Sequence, residues 1–234
     1  MSGRNKNISF DDHVETYQED IQNAIDFSGQ DVDFFIEVKA NLILEIAKKY
    51  FRDYKNIMLL DVGCGIGLTD DFLKKEFTHL HGVDIEEATL NKAKENNPEV
   101  IYSHYDAKIL PFDKNVFDFV FTINVMHHVP PDNRNNFIKE MCRVCKQDGV
   151  VAVFEHNPLN PLTRKVVRDC VFDRDAILLR NKEIQDLFSQ NNLSLLESRY
   201  ILFFPFRKNL FRMVEKFLGW LPLGAQQYVV SKKS

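Results

Sequence analysis

At 234 residues, with 44 % hydrophobic and 27 % charged residues, the chain can form one α/β domain with an ordinary core. Its formal net charge of −4 and pI of about 6.0 argue against broad electrostatic capture of nucleic acid. No window is long and apolar enough to span a membrane, and the polar start Met-Ser-Gly-Arg-Asn-Lys-Asn lacks the apolar core of a signal peptide. Cys64, Cys142, Cys145 and Cys170 form no secretory disulfide framework, so a reduced, cytoplasmic setting is expected.

Residues 1–9 read as a disordered start. From 10 to about 50 the pattern is helical, broken at Ser28-Gly29. Asp11 or Asp12 is placed to cap the first helix and Asp31 the second. The apolar run 57–60 makes a short buried strand completed by Asp61 and Val62, and Gly63, Gly65 and Gly67 turn it into a helix over 68–77. A second strand, 79–84, ends at Asp84, and a helix over 87–96 is stopped by Pro98. A third strand spans 100–103. The fourth, Phe117-Asp-Phe-Val-Phe-Thr-Ile-Asn-Val, is almost continuously apolar, as expected for a strand covered on both faces. A helix over 133–145 follows, with Gly149 as its terminator and a fifth strand at 150–154. Helices near 162–170 and 181–191, a strand near 193–203, a helix near 207–218 and a last strand near 225–231 complete the chain. The expected fold is a Rossmann-like, seven-stranded, mostly parallel sheet with an antiparallel last strand and helices on both faces. No repeat or linker divides it. Residues 1–234 read as one domain, with 10–50 a helical cover and 206–221 a helical insertion before the last strand.

A strand, a glycine loop and a helix N-terminus form a general nucleotide cradle, because glycine accepts unusual backbone angles and lets a ligand lie on the main chain. The dinucleotide fingerprint is G-x-G-x-x-G. Here the loop reads G-x-G-x-G, with Leu68 at the third glycine's place. Asp61, just before the loop, would repel a pyrophosphate but helps to hold a cationic ammonium group. Asp84 is well placed for ribose hydroxyls.

The stretch Asp61-Val-Gly-Cys-Gly-Ile-Gly67, with the later motifs in order, resembles motif I of the class I S-adenosylmethionine-dependent methyltransferases of the small-molecule type. The resemblance spans about 10–231 and is most specific at 59–67, 81–85 and 105–129. It implies S-adenosyl-L-methionine as cofactor, held by Asp61, Gly63, Cys64, Gly65 and Gly67, with Asp84 on the ribose and Ile85 against the adenine. It further implies adenine contacts from Asp106 and the backbone of Ala107, and methionine contacts from Asn124 and Val125. Tyr17, in the N-terminal segment, matches an aromatic that folds over the cofactor in many relatives.

In an open parallel sheet the ligand lies beyond the carboxyl ends of the strands. His127, His128 and Glu155-His156 fall at such ends, so the two histidine-bearing ends should converge near the activated methyl. Methyl transfer to a hydroxyl is helped by a base, and histidine suits that role near neutral pH. The order of preference is His128, His127, His156, with Glu155 orienting His156 or binding the acceptor. Asn157-Pro-Leu-Asn-Pro161 lacks the aromatic of the nucleic-acid amino-methyltransferase motif and follows the wrong strand, so it reads as a rigid turn shaping the acceptor pocket. Cys142 and Cys145 have ligand spacing but sit in a helix with no second pair, and no metal is expected. The last helix, with Leu210, Phe211, Val214, Phe217 and Leu218 among Arg207, Lys208, Arg212 and Lys216, reads first as a packed helix closing the sheet edge. Its further readings are a lid over a hydrophobic acceptor and a lipid-docking face. The expected activity is methyl transfer, most readily O-methylation, to a small or lipid-like acceptor. The rivals are a non-catalytic cofactor-binding or partner protein of the same fold and an NAD-dependent oxidoreductase.

Overall fold

The computed structural model describes residues 16–206 and 209–234, apart from the side chains of Tyr17, Asn209, Leu210 and Arg212. The segment before residue 16, including Asp11 and Asp12, lies outside the described residues, as does the Tyr17 side chain. The strands are β1 (Met58–Val62), β2 (His79–Asp84), β3 (Ile101–His104), β4 (Phe117–Ile123), β5 (Cys145–His156), β6 (Leu193–Ile201) and β7 (Gln226–Lys233). They form one sheet in the order β3-β2-β1-β4-β5-β7-β6, in which β7 runs antiparallel to both of its neighbours. The expected mostly parallel sheet with an antiparallel last strand is therefore what the chain forms. The order reverses between β1 and β4, which places the binding crevice beyond their carboxyl ends.

Helices cover both faces: α1 (Tyr17–Ile25), α2 (Val32–Tyr50), α3 (Leu68–Leu73), α4 (Glu87–Asn96), α5 (Arg134–Val144), α6 (Pro161–Asp169), α7 (Asn181–Gln190) and α8 (Asn209–Leu218). The break between α1 and α2 falls at Gly29, whose φ is +70°. Asp31 caps α2, its Oδ1 accepting from Phe34 N at 2.7 Å. Two apolar layers sandwich the sheet. One joins Ile43, Ile46 and Ala47 of α2 to Leu59, Phe119, Phe121 and Phe154. The other joins Phe137, Ile138 and Met141 of α5 to Leu60, Val120, Val151 and Val153. Alternate residues of β1, β4 and β5 thus enter opposite layers, which is why these strands read as continuous apolar runs.

Two sequence expectations are corrected. The helix after the glycine loop ends at Leu73, four residues earlier than the expected 77. Gly149 does not terminate α5. The helix ends at Val144, β5 begins at Cys145, and Asp148 takes the left-handed backbone at φ +63°. Gly149 is instead a close-packing position, since a Cβ there would lie 2.6 Å from Cys145 Sγ and 2.8 Å from Asp118 O. The β4–β5 register shifts at this place, between Phe117 and Phe119.

The glycine loop is locked to its neighbours. Gly67 has φ +75°, and a Cβ there would come within 2.5 Å of Asn97 Nδ2 and 2.6 Å of Tyr102 Oη. Those two groups belong to a buried network: Asn97 Nδ2 donates to Gly67 O at 2.9 Å and Tyr102 Oη donates to Asp70 Oδ2 at 2.8 Å. Gly67→Ala is expected to combine left-handed strain with this clash and to lower stability by about 2–4 kcal/mol, read from the denaturant midpoint at unchanged m value.

Candidate active site

The loop between β1 and α3 bends over the carboxyl end of β2. Gly63 N and Cys64 N donate to Val83 O at 2.7 and 3.0 Å, and Gly65 N donates to Asp84 Oδ2 at 2.7 Å. Asp84 Oδ1 accepts from Ile85 N at 2.7 Å and Glu86 N at 3.1 Å. Its carboxylate thus clamps both loops while bordering the cavity. Val125, after β4, packs on Gly63, where a Cβ would meet its Cγ2 at 2.4 Å. Only glycine lets the ends of β1 and β4 approach so closely.

Beside this loop lies a cavity of about 630 Å³. Asp61, Gly63, Cys64, Gly65, Asp84, Ile85, Ala107, Asn124 and Val125 line it, together with His127, His128 and His156. Gly67 lies behind the loop. Asp106 does not border the cavity: its carboxylate accepts from Lys108 N at 3.0 Å and Ile109 N at 3.1 Å, closing its own turn, while Tyr105 and Ala107 on either side face the cavity. Tyr17 starts α1, and the wall nearest that helix is provided by its Ile21, Ala24 and Ile25.

Three buried acceptor atoms on the cavity wall, Asp61 Oδ1, Asn124 Oδ1 and Gln226 Oε1, have no hydrogen-bond partner among the described residues. Buried polar atoms are ordinarily paired, so these mark where a donor belongs. Asn124 is held there by a left-handed backbone, φ +55°, and by its N donating to Phe154 O at 2.9 Å. Burial pushes the Asp61 carboxyl well up, and Asp70 and Asp84 push it the same way, while Lys39 pulls it down. Lys39 itself is buried on the cavity wall and makes no hydrogen bond or ion pair among the described residues. Burial brings its ammonium down to about 8, against the pull of Glu155 and Asp61. Sequence reasoning missed Lys39. The signal was present, because it stands on the apolar stripe Ile36, Ala40, Ile43 and Ala47 of α2.

The two histidine-bearing strand ends do meet. Ring centroids of His127 and His128 lie 4.1 Å apart, and those of His127 and His156 lie 5.2 Å apart. They converge on Asp173, which sequence reasoning also missed. His127 Nε2 stands 3.3 Å and His128 Nε2 3.4 Å from Asp173 Oδ1, and His156 Nε2 stands 3.9 Å from Asp173 Oδ2. The segment carrying Asp173 is tied to the end of β4: Ile177 N donates to His127 O at 2.9 Å, and Arg134 reaches Val129 O and Ile177 O. On the far side, Glu155 Oε2 accepts from His127 Nδ1 at 2.6 Å and Glu155 Oε1 from Met126 N at 2.7 Å. Glu155 is fully buried, and its side-chain bond is to His127 rather than to the His156 ring.

These contacts give the three imidazoles different states. Burial lowers His127, but Glu155 and Asp173 outweigh it and hold it up at about 10, an imidazolium between two carboxylates. Burial opposes ionisation of Asp173 too, yet its histidine partners hold its carboxyl far below the usual range. Burial and the His127 charge bring His156 down to about 4, so it is neutral. His128 is the exposed member, with 30 % of its side chain accessible. In the unfolded chain His127 titrates near 6.5, so folding retains a proton that the unfolded state releases between there and about 10. That stabilisation is complete below about pH 6.5 and is lost as pH rises through about 10. The difference in melting temperature between wild type and His127→Gln should therefore be largest at pH 6 and shrink steadily toward pH 10.

Among the described residues, His127, His128 and Asp173 have the spacing to hold a metal ion. Cys142 and Cys145 are buried free thiols, the first on α5 and the second at the start of β5. Asn157 serves as the expected turn, its Nδ2 donating to Pro222 O at 3.1 Å and Gly224 O at 2.7 Å, which braces the wall beside Gln226.

Comparison with known proteins agrees with this geometry. A profile of the methyltransferase domain matches residues 60–153. An uncharacterized methyltransferase of Synechocystis is 32 % identical over 44 % of this chain and 49 % of its own, so the chain spans about half of that relative. A ubiquinone biosynthesis O-methyltransferase of Pelagibacter ubique is 26 % identical over 68 % of this chain and 70 % of its own. The fold superposes on a solved S-adenosylmethionine-dependent methyltransferase of Thermotoga maritima, described as a possible histamine N-methyltransferase. That match has a TM-score of 0.67 and 20 % identity, and covers 96 % of this chain and 98 % of the other. With the glycine loop and the profile match in agreement, residues 60–153 form a methyltransferase domain, and the whole chain has the fold of a solved S-adenosylmethionine-dependent methyltransferase.

Proposed function

We propose that the protein transfers the methyl group of S-adenosylmethionine to a hydroxyl of a small or lipid-like acceptor. The carrying observation is that one cavity presents both unpartnered acceptors beside Lys39 and a histidine–carboxylate cluster. The residues fit the cofactor. Asp61, Asn124 and Gln226 offer buried oxygens to its α-ammonium, Lys39 offers a cation to its carboxylate, and the exposed Ile85 offers an apolar surface to its adenine. When bound, this cofactor supplies a methyl on a sulfonium, with a neutral thioether as leaving group.

The chain's own task is then to align the acceptor, exclude water and receive a proton. His128 is the base. It faces the cavity, and Asp173 fixes its ring and stabilises the cation formed when the proton arrives. His127 is already protonated and buried, and His156 is too weakly basic. The apolar side of the cavity, with Phe35, Phe137, Leu162, Phe203 and Phe204, suits a largely apolar acceptor. The hydroxyl reading agrees with the name of the Pelagibacter relative. The test is incubation with S-adenosylmethionine labelled in the methyl group and a panel of quinols, phenols, glycolipids and amines, with and without EDTA. Label is expected on apolar hydroxyl acceptors at a rate that EDTA leaves unchanged. Label on amines alone would overturn the O-methylation reading.

A further inference from the structure

We propose that α8 and the segment after it form a docking face for an anionic lipid bilayer. The inner side of α8 already has its partners. The Phe211 ring lies tilted against Phe204 and Phe206, with centroids 5.4 and 4.8 Å away, and Glu215 Oε1 accepts from Phe203 N and Phe204 N at 2.7 and 3.0 Å. The other side is apolar as well, and it faces solvent. Met213 is 61 %, Phe217 78 %, Trp220 75 % and Leu223 63 % exposed. Positions 213, 214 and 217 share one face of the helix. A run of large apolar side chains this exposed marks an interaction surface, whereas scattered ones do not. The expected packing at the sheet edge accounts only for the inner side.

Charge selects the partner. Between 203 and 224 the sequence has Arg207, Lys208, Arg212 and Lys216 against the single acid Glu215, in a chain whose net charge is −4. That acid is turned inward to the backbone of 203–204. Lys216 pairs with Glu45 at 3.3 Å, but both side chains are more than half exposed, so the pair is weak and leaves the cation available. A basic excess in this stretch of sequence disfavours a second copy of the same segment, whereas it complements anionic headgroups, and aromatic and basic residues together suit the membrane interface. The helix has ten residues, about 15 Å, half of what a bilayer core requires, so it lies on the surface.

The segment leading into α8, with Phe203, Phe204 and Pro205, lines the cavity. Docking would therefore set the cavity mouth against the bilayer and make the acceptor lipid-borne. That consequence, unlike the docking itself, rests on the proposed methyl transfer.

Trp220 is the only tryptophan in the chain and lies on this face, so its fluorescence reports docking directly. The experiment titrates the full chain, without cofactor or acceptor, with vesicles of phosphatidylcholine alone or mixed with phosphatidylglycerol. A blue shift of Trp220 emission and co-sedimentation with the anionic vesicles are expected. Partition should be roughly tenfold weaker into phosphatidylcholine alone, and roughly tenfold weaker again for Phe217→Ser, an exposed substitution that spares the fold. Unchanged emission with anionic vesicles, or partition indifferent to lipid charge, would overturn the proposal. So would emission already blue-shifted without vesicles together with a dimer mass, which would make the face a contact between copies. Because no cofactor is present, failure here leaves the methyl-transfer reading standing, and failure of that reading leaves a positive docking result intact.

Discussion

His128→Ala is expected to lower kcat by roughly 10²–10⁴-fold while leaving the affinity for S-adenosylmethionine unchanged. The two effects separate because the proposed role of His128 is toward the acceptor, while the residue borders the cavity and meets the protein through Asp173, 3.4 Å from its Nε2. Pre-steady-state turnover and equilibrium binding of the same variant check it. Asp173→Asn should retain more activity than His128→Ala, since the imidazole remains and only its orientation and charge support are weakened. A His128→Ala variant with full turnover would remove the base from the mechanism. An equal fall in binding would instead make His128 part of the cofactor pocket.

The second large effect is expected at Asp61. Asp61→Asn keeps the shape of the buried side chain and removes the charge that pairs with an ammonium. Charged hydrogen bonds contribute about 1.5–3 kcal/mol, so S-adenosylmethionine and S-adenosylhomocysteine should both bind roughly 10- to 100-fold more weakly. Methylthioadenosine, which lacks the amino-acid portion, should bind equally to both proteins. That contrast, measured by calorimetry, distinguishes a lost ammonium contact from general damage to the loop. The substitution should not unfold the protein, because burial and the nearby Asp70 and Asp84 already disfavour the Asp61 charge.

Strands buried on both faces were the most legible part of the chain. β4 is apolar at nearly every position because Phe119 and Phe121 enter one layer and Val120 the other, so neither side of the strand meets water. The glycine loop was legible for a different reason: its glycines fill backbone and packing positions where a side chain would collide. Gly149 shows the limit of that logic. Its sequence context matches a helix terminator, but the neighbouring Asp148 takes the left-handed conformation and Gly149 is required by the approach of Cys145 and Asp118. Asp106 shows another limit. Its place in the motif order suggested an adenine contact, and what the motif did not reveal is that its Oδ1 also closes the local turn by accepting from the amides of Lys108 and Ile109. Asp173 lies between α6 and α7 in a segment with no period and no motif, and only the fold brings it to three histidines. Lys39 was readable as a charge on an apolar stripe, a pattern that costs desolvation unless a ligand or partner meets it.

The central claim, that the cavity beside the glycine loop is a site for S-adenosylmethionine, is tested most directly by calorimetric titration. The purified chain is titrated with S-adenosylmethionine, S-adenosylhomocysteine and NADH, and the series is repeated on Asp84→Ala. Asp84 joins the loop after β1 to the loop after β2 through Gly65 N, Ile85 N and Glu86 N, so its loss should disturb the whole cradle. Saturable binding of the two sulfur compounds, lost in Asp84→Ala, with no heat from NADH, is the predicted result. Binding of NADH alone would contradict the account and return the loop to the dinucleotide class.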